Sequence, residues 1–145
     1  MPVAYLYKHA LELKLKSLLK SMFECRLFLE TELSENKYNK LMTRHKIIDM
    51  WNTVKPKLIC EFSKSPRKPI NNAEALIIDF HKLDNSGQNF RYPSTLNGND
   101  VRDKFPDVVG LDLLKEAVDE TYALIDVCDG YFSDMLDYKN DPDHY

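Results

Sequence analysis

The stretch Leu6-Tyr7-Lys8-His9-Ala10-Leu11-Glu12-Leu13-Lys14-Leu15-Lys16-Ser17-Leu18-Leu19-Lys20-Ser21-Met22 contains neither proline nor glycine, and its apolar residues recur at helical spacing. Leu11, Leu15, Leu18 and Met22 fall at i, i+4, i+7 and i+11, which stacks them on one side of a 3.6-residue helix. Leu6, Ala10 and Leu13 form a second row, so the segment from Ala4 to about Leu29 reads as a helix buried on two sides. Between the rows, Glu12 and Lys16 make an i, i+4 pair in the favourable order, worth a few tenths of a kcal/mol. A helix this apolar needs other elements to cover it, and four glycines in 145 residues leave little material for the tight reversals of a β architecture.

Further along, Ser34 to Thr43 is polar and reads as a loop, with Thr43 as N-cap of a second helix. That helix carries Ile47, Trp51, Val54, Leu58 and Phe62 in one row, and Pro56 predicts a kink or break near Val54. Ser63 to Asn71 is rich in Ser, Pro, Lys and Arg and reads as a linker. Asn72 then caps a third helix from Ala73 to about Leu83, with Ala73, Ile77 and Phe80 inward. From Asp84 to Gly110 neither period is sustained, which predicts one long irregular loop; Asn97-Gly98 suits a type I′ turn, so a short β hairpin there is an alternative. The last helix, about Leu111 to Tyr138, aligns Leu114, Val118, Tyr122, Ile125, Phe132 and Leu136, and Asp141 to Tyr145 is a polar tail.

These elements predict an all-α fold: one domain over 1–138, an antiparallel-type bundle of about four helices, followed by a polar C-terminal tail over 139–145. Twenty Lys and Arg against twenty-three Asp and Glu give a net charge of -3, which excludes a global basic field for nucleic acid and leaves only local contacts. Cys25, Cys60 and Cys128 are odd in number, far apart and outside any metal-ligand spacing, so buried, reduced thiols are expected. The N-terminus has no signal-peptide pattern and no apolar run approaches the roughly 18 residues of a membrane span. A cytoplasmic protein without membrane contact is the expectation.

Four places carry candidate chemistry. His9 and Glu12 form an i, i+3 pair in which a carboxylate could orient an imidazole, against the plainer reading of a histidine satisfied inside the bundle. Arg44 and His45 precede the second helix, whose N-terminus favours an anion, against an ordinary polar helix start. In Phe80-His81-Lys82-Leu83-Asp84-Asn85-Ser86-Gly87-Gln88-Asn89-Phe90-Arg91-Tyr92-Pro93, Pro93 forces Tyr92 to be extended and sets Arg91 on a stiff strut suited to phosphate or carboxylate. The alternative is that Arg91 pairs with Asp84 and pins the loop. Gly-rich phosphate loops, G-x-S-x-G, H-E-x-x-H and paired-cysteine zinc motifs are all missing, which disfavours the common hydrolases; no metal or other cofactor is expected.

Three blocks, Tyr5-Leu6-Tyr7-Lys8-His9-Ala10-Leu11-Glu12-Leu13 with Leu15-Lys16-Ser17-Leu18-Leu19, His45-Lys46-Ile47-Ile48-Asp49-Met50-Trp51 with Val54-Lys55-Pro56, and Phe90-Arg91-Tyr92-Pro93, resemble in order the HEPN-like proteins of prokaryotes and their phages. The resemblance implies a helical bundle that commonly forms a homodimer, often beside toxin–antitoxin, antiviral-defence or nucleotidyltransferase partners, with many members acting as metal-independent ribonucleases. Those ribonucleases carry an arginine followed four to six residues later by a histidine. None of Arg26, Arg44, Arg67, Arg91 and Arg102 has a histidine in that window, so the catalytic pair does not carry over and only His9, His45 and Arg91 transfer as non-catalytic positions.

Two functions follow as expectations. The first is a non-catalytic HEPN-like module that binds a nucleotide, RNA or a protein partner such as an antitoxin or nucleotidyltransferase, through Arg91, His45, Arg44, His9, Glu12 and Asp84. The second is an endoribonuclease toxin with a non-standard site built from His45, Arg91 and His9, in which arginine stabilises the pentavalent phosphate and histidine moves the proton. A purely structural or antitoxin-like dimer is a third.

Overall fold

The computed structural model describes residues 3–86 and 108–139, and all regular secondary structure among them is helical. The elements are α1 (Val3–Glu24), α2 (Glu35–Thr43), α3 (Ile47–Glu61), α4 (Lys68–Ser86) and α5 (Val108–Lys139). This is the all-α bundle expected. Arg91, the hairpin alternative at Asn97-Gly98 and the tail over 141–145 lie outside the described residues.

Several boundaries differ from the expectation, each for a local reason. α1 ends at Glu24, short of Leu29, in a reversal that bonds Arg26 N–H to the Phe23 carbonyl at 3.0 Å and Leu27 N–H to the Met22 carbonyl at 3.4 Å. That is a Schellman cap, and its left-handed position is held by Arg26 at φ 60 where glycine is the usual occupant. Ser34 to Thr43 is a helix rather than a loop: the Ser34 hydroxyl accepts from Lys37 N–H, and Tyr38, Leu41 and Met42 at i, i+3 and i+4 lean on the core. Thr43 therefore closes α2, its hydroxyl donating to the Lys40 carbonyl at 3.1 Å, and does not cap α3. The α3 cap position is Lys46, without a side-chain cap bond.

α3 runs through Pro56 without the break expected near Val54. The proline removes one N–H, but Asn52 and Pro56 are both exposed, so water can satisfy the orphaned carbonyl. α4 starts at Lys68, inside the segment read as a linker, because Pro69 falls in the first turn where a missing N–H costs nothing. Asn72 is consequently an interior residue, and α4 continues past Leu83 to Ser86.

The core is one cluster. Leu11, Leu15, Leu18 and Met22 of α1 meet Trp51 and Val54 of α3, Ala73, Ile77 and Phe80 of α4, and Val118, Ile125 and Phe132 of α5. The second α1 row is a correction: Leu6 is 52% exposed and Leu13 55%, so α1 buries one broad face and shows the other to solvent. On α5, Leu114 is buried while Tyr122 and Leu136 are half-buried, as their shared row predicts.

Contacts along the α1–α5 seam advance together in sequence. The Tyr122 hydroxyl donates to the Tyr7 carbonyl at 2.7 Å, Lys14 bridges Asp126 at 2.9 Å, Ser17 and Ser21 donate to Asp129, and Ser21 meets Ser133 at 3.2 Å. α1 and α5 thus run parallel. α1 and α3 do so too, since Glu12 meets His45 ahead of α3 whereas Glu32, beyond α1, meets Lys57 near its end. α3 and α4 are antiparallel across their short connection, with Trp51 Nε1 donating to Glu74 at 3.0 Å. Short loops alone would alternate every direction; here α2 is a return limb that brings the chain back before α3, so neighbours in the bundle are not all antiparallel.

Candidate functional site

α1 carries a second periodic row besides its apolar one: Tyr5, Lys8, Glu12 and Lys16 lie at i, i+3, i+7 and i+11. The α2–α3 junction crosses this row. His45 lies between the last α2 residues and the N-cap of α3, and its side chain lands on α1. Tyr5, Lys8, His9, Glu12 and His45 together line a cleft of about 220 Å³.

Glu12 is the anchor of this cleft. Its side chain is only 5% exposed, and its Oε2 lies 2.8 Å from His45 Nδ1 and 3.1 Å from Lys16 Nζ. Burial pushes the Glu12 carboxyl up, but the hydrogen bonds from His45 and Lys16 and their positive charge outweigh burial and hold it below the ordinary carboxylate value. An ionised carboxylate only accepts hydrogen bonds, so His45 must present N–H at Nδ1. In the neutral ring that fixes the tautomer and leaves the Nε2 lone pair on the open side of an imidazole that is 78% exposed. This is a carboxylate-oriented histidine, able to accept a proton when neutral and to donate one when charged.

Three of the residues singled out in the sequence therefore share one cleft: His9, Glu12 and His45. The pairing within it differs from the i, i+3 contact expected, because Glu12 is taken by His45 and Lys16 while His9 is exposed at the rim. The anion beside the α3 N-terminus is the protein's own carboxylate. Arg44, adjacent in sequence to His45, faces away into a separate shallow depression with Lys37, Lys40 and Asp49. Arg91 lies outside the described residues, as does the side chain of Asp84 within α4. Tyr5 and Lys8 are cleft residues that were not selected from the sequence. The signal was present, since they share the helical row of Glu12, but nothing local marked that row as facing a cleft.

The remaining polar clusters are seams between helices. Lys55 pairs with Glu74 beside Trp51, and the Ser17, Ser21 and Asp129 group ties α1 to α5. Burial pushes the Tyr122 phenol up to about 12, consistent with its role as a donor to the α1 backbone. Cys25 and Cys128 are buried as expected, but Cys60 is exposed, because α3 turns that position outward. Among the described residues no three His, Cys, Asp or Glu side chains gather into a metal-sized group, and no helix is long and apolar enough to cross a membrane. No protein-family model matches the chain, and neither a curated protein nor a solved structure is significantly similar to it.

Proposed function

We propose that the chain is a HEPN-like helical module that binds a phosphate-bearing ligand, a nucleotide or RNA, in the cleft between α1 and the α2–α3 junction, without cleaving it. The observation that carries this reading is the convergence of Lys8, His9 and His45 on one cleft whose single carboxylate, Glu12, is already engaged by Lys16 and by Nδ1 of His45. Cationic and imidazole groups outnumber the one carboxylate, whose oxygen is turned to its partners. In a protein of net charge -3, such a local concentration of donors is where an anion is attracted. The setting that goes with this reading is a cytoplasmic homodimer in a toxin–antitoxin or antiviral-defence pair, with an antitoxin or nucleotidyltransferase as partner.

The test is binding of a short fluorescent RNA, followed by anisotropy at two salt concentrations in the presence of a chelator. The expected result is salt-dependent binding that is weakened at least tenfold in His45→Ala, with the RNA intact after prolonged incubation. Absence of binding by the folded protein would overturn the reading.

The second reading, a metal-independent endoribonuclease, is favoured by one observation: two histidines line a single cleft and one is oriented by a carboxylate. General acid–base catalysis of phosphodiester cleavage needs such a pair. RNA cleaved in chelator by the wild type but left whole by both His9→Ala and His45→Ala would establish it over the first.

A further inference from the structure

We infer that the group this cleft selects is a terminal phosphomonoester, so that the module recognises a phosphorylated end of RNA rather than the internal backbone or a base. The inference rests on the nucleotide or RNA reading above and narrows it to one chemical group.

Size is the first argument. The cleft is about 220 Å³, below the roughly 300–1,000 Å³ of pockets that enclose a drug-sized ligand. A nucleobase with its ribose and phosphate would not be enclosed, whereas a phosphoryl group entering alone would be. An internal phosphodiester carries a sugar on both sides and needs room on both flanks of the phosphate, which a cleft of this small volume offers less readily than it admits a chain end.

Proton chemistry is the second argument. Glu12 holds the hydrogen on Nδ1 of His45, so the neutral ring turns a lone pair outward at Nε2. A phosphodiester has no proton to give and meets that lone pair with oxygen lone pairs of its own. A phosphomonoester has a second ionisation near pH 6. As the monoanion it donates its P–O–H to Nε2, and as the dianion it accepts from the protonated ring; in both cases one proton lies between the two groups and no bond to phosphorus changes. Lys8, a cation, and His9, an imidazole with an N–H to donate, line the same cleft beside the remaining oxygens.

Charge is the third. A phosphomonoester carries about -1.5 to -2 at neutral pH against -1 for a diester, which matters most where the cationic groups are confined to one small cleft.

The experiment compares one short RNA sequence carrying a 5′-phosphate, a 3′-phosphate or hydroxyls at both ends, with a free nucleoside 5′-monophosphate as competitor, on the full chain. The expected result is at least tenfold tighter binding of one phosphorylated form than of the hydroxyl form, with the advantage abolished in His45→Ala and retained in Arg44→Ala, whose side chain faces elsewhere. Competition by the monophosphate at similar concentration would assign recognition to the phosphate alone; failure to compete would add the adjoining sugar of the RNA end. Equal binding of all three RNAs would overturn the inference and leave the module reading intact. Binding of none would overturn both. Because the wild-type comparison needs no substitution, the outcome does not depend on any variant folding.

Discussion

Glu12 Oε2 and His45 Nδ1 lie 2.8 Å apart, and this contact joins the third turn of α1 to the entry of α3. The two residues are 33 positions apart in sequence. One buried carboxylate thus fixes both the ring orientation in the cleft and the path of the chain out of α2.

The pH dependence of stability follows from Glu12. Its folded value lies below the ordinary 4.5, so between the two values the unfolded chain binds more protons and stability rises with pH. The stabilisation is complete above the ordinary value and is lost as the pH falls through the folded one. Urea unfolding at a series of pH values below about 5 is expected to show a shallower acid loss for Glu12→Gln than for wild type. At neutral pH the same variant is expected to cost about 1.5–3 kcal/mol, as for a hydrogen bond to a charged group.

Arg26 occupies the left-handed position of the α1 cap at φ 60. An L side chain there costs about 1–2 kcal/mol relative to glycine, offset in part by the entropy glycine loses on folding. Arg26→Gly is expected to raise the urea midpoint with unchanged m-value, corresponding to about 0.5–1 kcal/mol. A lower midpoint would mean that the arginine side chain contributes more than the backbone strain removes.

Leu13 and Leu15 look alike in sequence and differ in burial, 55% against 0% exposed. Leu15→Ala is expected to destabilise by about 2–5 kcal/mol, whereas Leu13→Ala is expected to stay within about 0.5 kcal/mol. Chemical denaturation of the two variants side by side measures the contrast.

Of the three thiols only Cys60 is exposed. Burial and the neighbouring Asp129 push the Cys128 thiol up to about 11, which suppresses its thiolate at neutral pH. Titration with an aromatic disulfide reagent is expected to give one fast-reacting thiol in the native protein and three in denaturant. Cys60→Ser is expected to abolish the fast phase.

The helical periodicity of the core was readable because it repeats over many turns: Leu11 to Met22, Ile47 to Leu58 and Leu114 to Phe132 are all placed inward as their spacing requires. What periodicity could not supply was α2. Only Tyr38, Leu41 and Met42 in that segment are apolar, and Ser34 reads equally as a loop residue or as a cap. Missing that return limb is also what made an alternating up-and-down course look natural. The cleft was half legible. Its histidines and glutamate stood out by type, yet the partner of Glu12 depends on a tertiary crossing that an i, i+3 rule cannot anticipate, and the outer face of α1 looked core-like because leucine was counted without knowing which side the neighbours occupy.

Because α1, α3 and α5 point the same way while only α4 and the shorter α2 oppose them, the peptide dipoles of the helices do not cancel. The molecule therefore has an electrical head and tail, and the Glu12–His45 crossing sits at the head of α3. A negative ligand arriving there would be drawn by the backbone as well as by side chains, a contribution that no single substitution could remove.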